Sequence, residues 1–197
     1  VPDRESRREE LGGDRANAIV VGYGRFGQTV VQMLAAAGIP ATPIDIDIAA
    51  IDTARENGTR VYFGDGTRID VLRQAGAADA ELILFCMDGD PLRADFVESV
   101  HAAFPAAAIY LRAYDRRAVI RLRRAPLAGI VREVLESAVK MARMALEEMG
   151  VGLEDIDRAE DRYRRRDLER LRVQVETGDL RAGSGRAAVL PDRQDGD

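Results

Sequence analysis

Three glycines at Gly22, Gly24 and Gly27 have the spacing of a phosphate cradle, G-x-G-x-x-G. Gly22 suits the tight turn out of a strand, Gly24 suits close approach of backbone to a phosphate, and Gly27 suits packing of helix on strand. Context gives the spacing weight. Ala18-Ile19-Val20-Val21 precedes it as an apolar run, and Phe26, Val30, Val31, Met33, Leu34 and Ala37 follow at helical period. The first turn of such a helix offers unpaired N–H groups and a positive dipole end to an anion. Asp45 lies ~20 residues beyond the glycines, where a carboxylate meets a ribose hydroxyl pair and repels a 2′-phosphate, which argues against NADP. Asp47 is the second choice for that role and suits the cap of a helix starting near Ile48. Asp65, in Phe63-Gly64-Asp65-Gly66-Thr67, has a carboxylate able to accept from an adenine amino group, while Asp65 or Thr67 equally suits a helix N-cap.

These groups need a scaffold that brings them together. Strands are expected at 18–22, 41–45, 60–63, 82–86 and 107–112, with helices over 26–37, 48–57, 67–75 and 90–103. Leu82-Ile83-Leu84-Phe85-Cys86 is continuously apolar, as for a strand covered on both faces. Alternating strands and helices predict an α/β fold, a Rossmann-like doubly wound parallel sheet with right-handed crossovers. Ligands sit beyond the carboxyl ends of such strands. The glycine loop, Asp45, Asp65 and Asp88 therefore converge on one crevice. Arg112, ending the fifth strand, reaches the same crevice or pairs with Asp115.

The pattern changes after Asp115. A short helix over 119–124 exposes Arg121, Arg123 and Arg124, and Pro126 ends it. A sixth strand fits 127–131. Glu133 to Met149 is an amphipathic helix with an apolar face wider than one sheet face requires, so a partner chain and the protein's own core are both open as its cover. A second helix, from about Leu153 to Val175, interleaves Arg162, Arg164, Arg165, Arg166, Arg170 and Arg172 with Asp161, Asp167 and Glu169. Its pattern reads as a salt-bridged solvated face, or as a contact for an anionic surface. The expected organisation is a charged linker over 1–16, a nucleotide-binding domain over 17–130, a helical dimerisation segment over 131–176 and a disordered tail over 177–197.

Composition excludes several classes. The chain has 197 residues and a net charge of −5, which argues against a general nucleic-acid binder. Lys140 is the sole lysine, Cys86 the sole cysteine and His101 the sole histidine. An internal disulfide and a Cys/His metal cluster are thereby excluded. Cys86 reads as a core thiol and His101 as a surface or boundary residue. No apolar run reaches the ~18 residues that span a bilayer.

The run Ile19-Val20-Val21-Gly22-Tyr23-Gly24-Arg25-Phe26-Gly27-Gln28 resembles the opening of RCK (KTN, or TrkA-N) regulatory domains of Kef-type potassium efflux systems. The likeness continues through Ile44–Asp47, Phe63–Asp70, Leu72–Ala77, Leu111–Asp115, the helix from Glu133 and Tyr163–Arg166. It implies a non-catalytic, dimerising domain on the cytoplasmic face of the inner membrane. Such a domain gates a potassium/proton antiporter and binds AMP or NAD(H). Gly22, Gly24 and Gly27 would carry the phosphate, Asp45 the ribose, and Asp65 with Thr67 the adenine end. Arg25, Phe26, Ile46, Gly66, Asp88 and Arg112 complete the expected cofactor site. No catalytic and no metal-binding residue is expected.

In Kef proteins glutathione and its adducts set the gate. Here the positions implied for that pocket are Gln32, Asn57, Arg132 and Asp167, of which only Arg132 keeps its expected type. Asp167 is expected to repel a glutathione carboxylate, so glutathione binding is expected to be weak or absent. Competing classes are a soluble NAD-dependent oxidoreductase, which would need a substrate domain, and a free-standing subunit of a potassium uptake system.

Overall fold

The computed structural model describes residues 17–56, 59–88, 92–122, 124–179 and 182. The expectations for the linker 1–16, Asn57, Arg123 and most of the tail concern residues outside these. The order is β1 (Ala18–Val21), α1 (Arg25–Ala36), β2 (Ala41–Asp45), α2 (Ile48–Glu56), β3 (Tyr62–Phe63), α3 (Ile69–Gln74), a 3-10 turn (Ala77–Asp79), β4 (Leu82–Phe85), α4 (Ala94–Ala103) and β5 (Ala108–Ala113). Then come α5 (Arg116–Arg121), β6 (Gly129–Arg132), α6 (Glu133–Glu148) and α7 (Leu153–Thr177). The chain forms two compact units. Residues up to Tyr114 with Arg124–Val131 form the sheet unit, and α5 joins α6 and α7 in the helical unit.

The sheet has the order β3-β2-β1-β4-β5-β6. Its β1–β2, β1–β4, β2–β3 and β4–β5 pairs are parallel. Chain direction reverses its winding at β1, the switch point of a doubly wound fold. Val21 is level with both Ile44 and Phe85, and Phe85 with Leu111, so the strand ends form one rim. All of β1 is buried, as its all-apolar sequence requires. Pro43 sits in β2 without a donor. The Gly22 N–H bonds Ile44 O on the β1 side, and the Gly64 N–H bonds Asp45 O on the other. Alternation turns the Pro43 nitrogen toward β3, which begins pairing only at Ile44. This explains a two-residue β3 where sequence suggests four.

Two helix starts differ from expectation. The Asp65 carboxylate bonds Thr67 within a turn, and α3 begins at Ile69 with no side-chain cap, so neither Asp65 nor Thr67 caps it. Asp115 caps α5, accepting from the N–H groups of Arg117 at 2.9 Å and Ala118 at 3.2 Å. That draws the helix start to Arg116.

Candidate functional site

The glycine loop is set by backbone geometry. Gly22 has φ +93°, and a Cβ there would lie 2.8 Å from Met87 backbone. A Cβ on Gly27 would lie 1.8 Å from the Gly22 carbonyl oxygen, so only glycine lets α1 sit this close to the end of β1. Gly24, in contrast, has open space where a Cβ would stand. It is the N-cap residue of α1, with no side chain capping the helix. The first intrahelical bond is Gln28 N–H to Gly24 O at 2.9 Å, which leaves the N–H groups of the first turn directed out of the helix end. Gln28 Nε2 also donates to the Tyr23 carbonyl at 3.1 Å and so staples the loop to the helix.

Asp45 fixes the loop from the other side. Its Oδ2 accepts from Tyr23 N–H at 2.5 Å and its Oδ1 from Asp47 N–H at 2.8 Å. A carboxylate has about four lone-pair sites, so each oxygen keeps capacity for a further donor such as a hydroxyl. Asp47 caps α2, accepting from Ala49 N–H at 2.9 Å. Asp65 Oδ1 accepts from both N–H and Oγ of Thr67, at 2.9 and 2.6 Å, while its second oxygen carries neither bond. Gly66 brings this turn against Val21, leaving no room for a Cβ.

A cavity of about 270 Å³ opens at this rim, lined by Val21, Gly22, Gly24, Ile44, Asp45, Ile46, Asp47, Gly64, Asp65, Gly66, Cys86, Met87 and Asp88. The structure thus gathers most of the cofactor residues singled out from sequence. Val21, Ile44, Gly64, Cys86 and Met87 also line it without having been singled out; the strand ends and the adjacent glycine Gly66 are the signals that could have found them. Arg25 is exposed, and Thr67 lies beside the cavity in the Asp65 turn.

Arg112 departs from one expectation. It pairs with Asp88, not Asp115, which is taken up as a helix cap. Its Nη1 donates to Cys86 O at 3.1 Å, and its guanidinium lies 4.6 Å from the centre of the Phe26 ring.

The remaining reactive groups are quiet. Burial pushes the Cys86 thiol up to about 11, despite the opposing charge of Arg112, so it is protonated at neutral pH. His101 is exposed on α4. No cluster suited to a metal occurs among the described residues, and no helix there is long and apolar enough to cross a membrane.

The residues implied for glutathione divide. Gln32 is exposed on α1. In the helical unit Asp167 is 4 % exposed and sits between Arg116 and Arg132, bonded to both. Burial alone would raise its carboxyl, but Arg132 and then Arg116 outweigh it and hold the group below the usual carboxylate range. Asp167 is thus paired with both arginines in this structure.

A strand-end crevice with an uncapped glycine-loop helix and an acceptor at the end of β2 is the arrangement of the Rossmann-like class. The chain belongs to the TrkA-N domain family, which matches residues 18–135. It is 36 % identical over 187 residues to the glutathione-regulated potassium-efflux system protein KefC of Enterobacter sp. (strain 638), covering 95 % of this chain and 30 % of that protein. The chain thus spans under a third of that relative. Among solved structures it matches the Kef CTD of Shewanella denitrificans in its AMP-bound form, with a TM-score of 0.69, 32 % identity and coverage of 82 % of this chain and 98 % of that one. The GsuK channel bound to NAD shares the fold at a TM-score of 0.62 and 21 % identity, over 71 % of this chain and 25 % of that one.

Proposed function

We propose that the sheet unit binds an adenine nucleotide, AMP or NAD(H), as a regulatory signal. The observation that carries this is the uncapped start of α1 opening, through the bare Gly24 position, onto a cavity bordered by Asp45 and Asp65. Phosphate meets the first-turn N–H groups, the ribose hydroxyls meet Asp45, and the adenine amino group meets Asp65. Likeness to an AMP-bound Kef domain supports the same assignment.

In this reading the chain is the ligand-sensing, non-catalytic part of a potassium/proton efflux antiporter, at the cytoplasmic face of the inner membrane. It works by population shift: a nucleotide that favours one arrangement of the domain pair biases the transporter. The pair is a homodimer joined through α6 and α7. Val134, Met141 and Met144 on α6, Met149 at its C-cap, and Leu153, Tyr163 and Leu168 on α7 are all exposed, supplying apolar surface for a second copy. Glutathione binds weakly or not at all, because Asp167 already occupies Arg132.

Titration calorimetry with AMP and NADH tests the site, together with a mass spectrum of any small molecule that co-purifies. Micromolar binding of either, lost in Gly24→Val, is expected. No binding of either to folded protein defeats the reading. Micromolar affinity for glutathione at neutral pH defeats the glutathione statement alone.

A further inference from the structure

We propose that Arg112 makes the site selective for a single nucleotide by occupying the place of a dinucleotide's second half. This rests on the nucleotide reading above and deepens it. In a doubly wound sheet a dinucleotide straddles the switch point, with one nucleotide over the β1-β2-β3 side and the other over the β4-β5-β6 side. The cavity here lies mainly on the first side: its walls come from the ends of β1, β2 and β3, it takes only the end of β4 from the second side, and among the described residues none of β5 or β6 lines it.

On the β5 side stands the Arg112 side chain, only 13 % exposed. Its described contacts include the Phe26 ring in the first turn of α1 at 4.6 Å, the Cys86 carbonyl at the end of β4 at 3.1 Å, and the Asp88 carboxylate. Together these contacts bridge the start of α1 to the end of β4, across the switch point. A second ribose and base entering there must displace the guanidinium from the aromatic face and the carbonyl, while its pairing with exposed Asp88 adds little resistance.

The same placement favours a terminal phosphate. Asp45, Asp47, Asp65 and Asp88 all line the cavity, which opposes a phosphate dianion. Arg112 stands at the glycine-loop end through its contact with Phe26, so its charge offsets those carboxylates where a mononucleotide's phosphate ends. Exposed Asp88 can give up the guanidinium to that phosphate with little desolvation cost.

Calorimetry on the wild-type chain with AMP, ADP, ADP-ribose and NAD decides the matter without a variant. Affinity is expected to fall about tenfold or more between ADP and ADP-ribose and to stay low for NAD. Equal or rising affinity along the series overturns the proposal while leaving the nucleotide site intact. Failure of all four to bind defeats the site itself. Arg112→Ala, checked for folding by circular dichroism, is expected to weaken AMP and to narrow the AMP-to-NAD ratio. A variant that weakens both ligands equally assigns Arg112 a structural role and overturns selectivity. Should Arg112→Ala not fold, the wild-type series stands as the decisive measurement.

Discussion

The sheet unit and the helical unit are stabilised by different physics. In the sheet unit β1 is buried throughout, and Ile44, Leu72, Ile83, Phe85 and Ile109 join it as almost fully buried side chains. Glycines set how closely its parts approach. The helical unit buries less, and its apolar burial comes mostly from α5 and its end, at Ala118, Ile120 and Leu122. α6 buries none of its residues, and the 25-residue α7 buries Ile156, Asp167 and Gln174, two of them polar. Charge holds these helices together: Arg164 joins Glu136 to Glu160, and Arg143 joins Glu160 to Asp157. A unit specified mainly by burial holds its strand ends in one close-packed rim, whereas α6 and α7, joined by ion pairs, leave large apolar side chains outward.

The severest test of that contrast is Gly27→Ala. The new Cβ would meet the Gly22 carbonyl oxygen at 1.8 Å, and both are backbone-fixed. Destabilisation of about 4 kcal/mol or more is expected, with loss of nucleotide binding. Urea unfolding followed by circular dichroism reads it. A variant as stable as wild type would mean that the close approach of α1 to β1 is not what sets the loop.

Asp167→Ala is the counterpart in the helical unit. It strands Arg116 and Arg132, whose only buried carboxylate it removes among the contacts described for them. Breaking a buried pair in this way costs about 3–5 kcal/mol. The expected outcome is a lowered urea midpoint with AMP affinity retained, since the cavity residues belong to the sheet unit. A neutral result would show that ion pairing does not specify these helices.

Acid should act on the same unit. Asp167, Glu136 and Glu160 titrate below their ordinary values: Arg132 and Arg116 overcome burial at Asp167, Arg164 lowers Glu136, and Arg164 with Arg143 lowers Glu160. Folded-state pKa values below the unfolded ones mean that this stability is present at neutral pH. It is lost as pH falls below the unfolded range of about 4. The urea midpoint should hold from pH 6 to about 5 and drop as pH falls through about 4 toward 3, and the drop should shrink in Asp167→Ala.

What could be read from sequence follows the same division. The strands, the glycine loop and the Asp47 cap were legible because apolar period, glycine spacing and a polar residue before a helix are local signals. Asp45 looked like a ribose ligand alone. Its bond to Tyr23 N–H, 22 residues away, is a tertiary fact. Asp115 was read as an ion partner, although an aspartate directly before a helical run is also an N-cap signal. Asp167 sits among exposed arginines; the helical pattern makes it a solvated charge, and the family resemblance a charge facing glutathione. Its burial depends on Arg116 and Arg132, 51 and 35 residues distant, which no helical pattern encodes.

The smallest expected effect is also the sharpest probe of how the helical pair is held. Glu136 on α6 accepts two bonds from Arg164 on α7, at 2.9 and 2.8 Å, the paired geometry a guanidinium favours. Both side chains are more than a third exposed, so solvent screens most of the attraction. Glu136→Gln should therefore cost only about 0.5 kcal/mol at low salt. Arg164 would keep Glu160 at 2.7 Å as its second partner, which limits the loss further. Near 1 M salt, where the screening length is about 3 Å, the difference between variant and wild type should vanish. A cost several times larger and indifferent to salt would mean that the pair is shielded from water in the assembled protein. The α6–α7 surface would then be covered by a second chain, and the ion pairs would belong to its interface rather than to a solvated face.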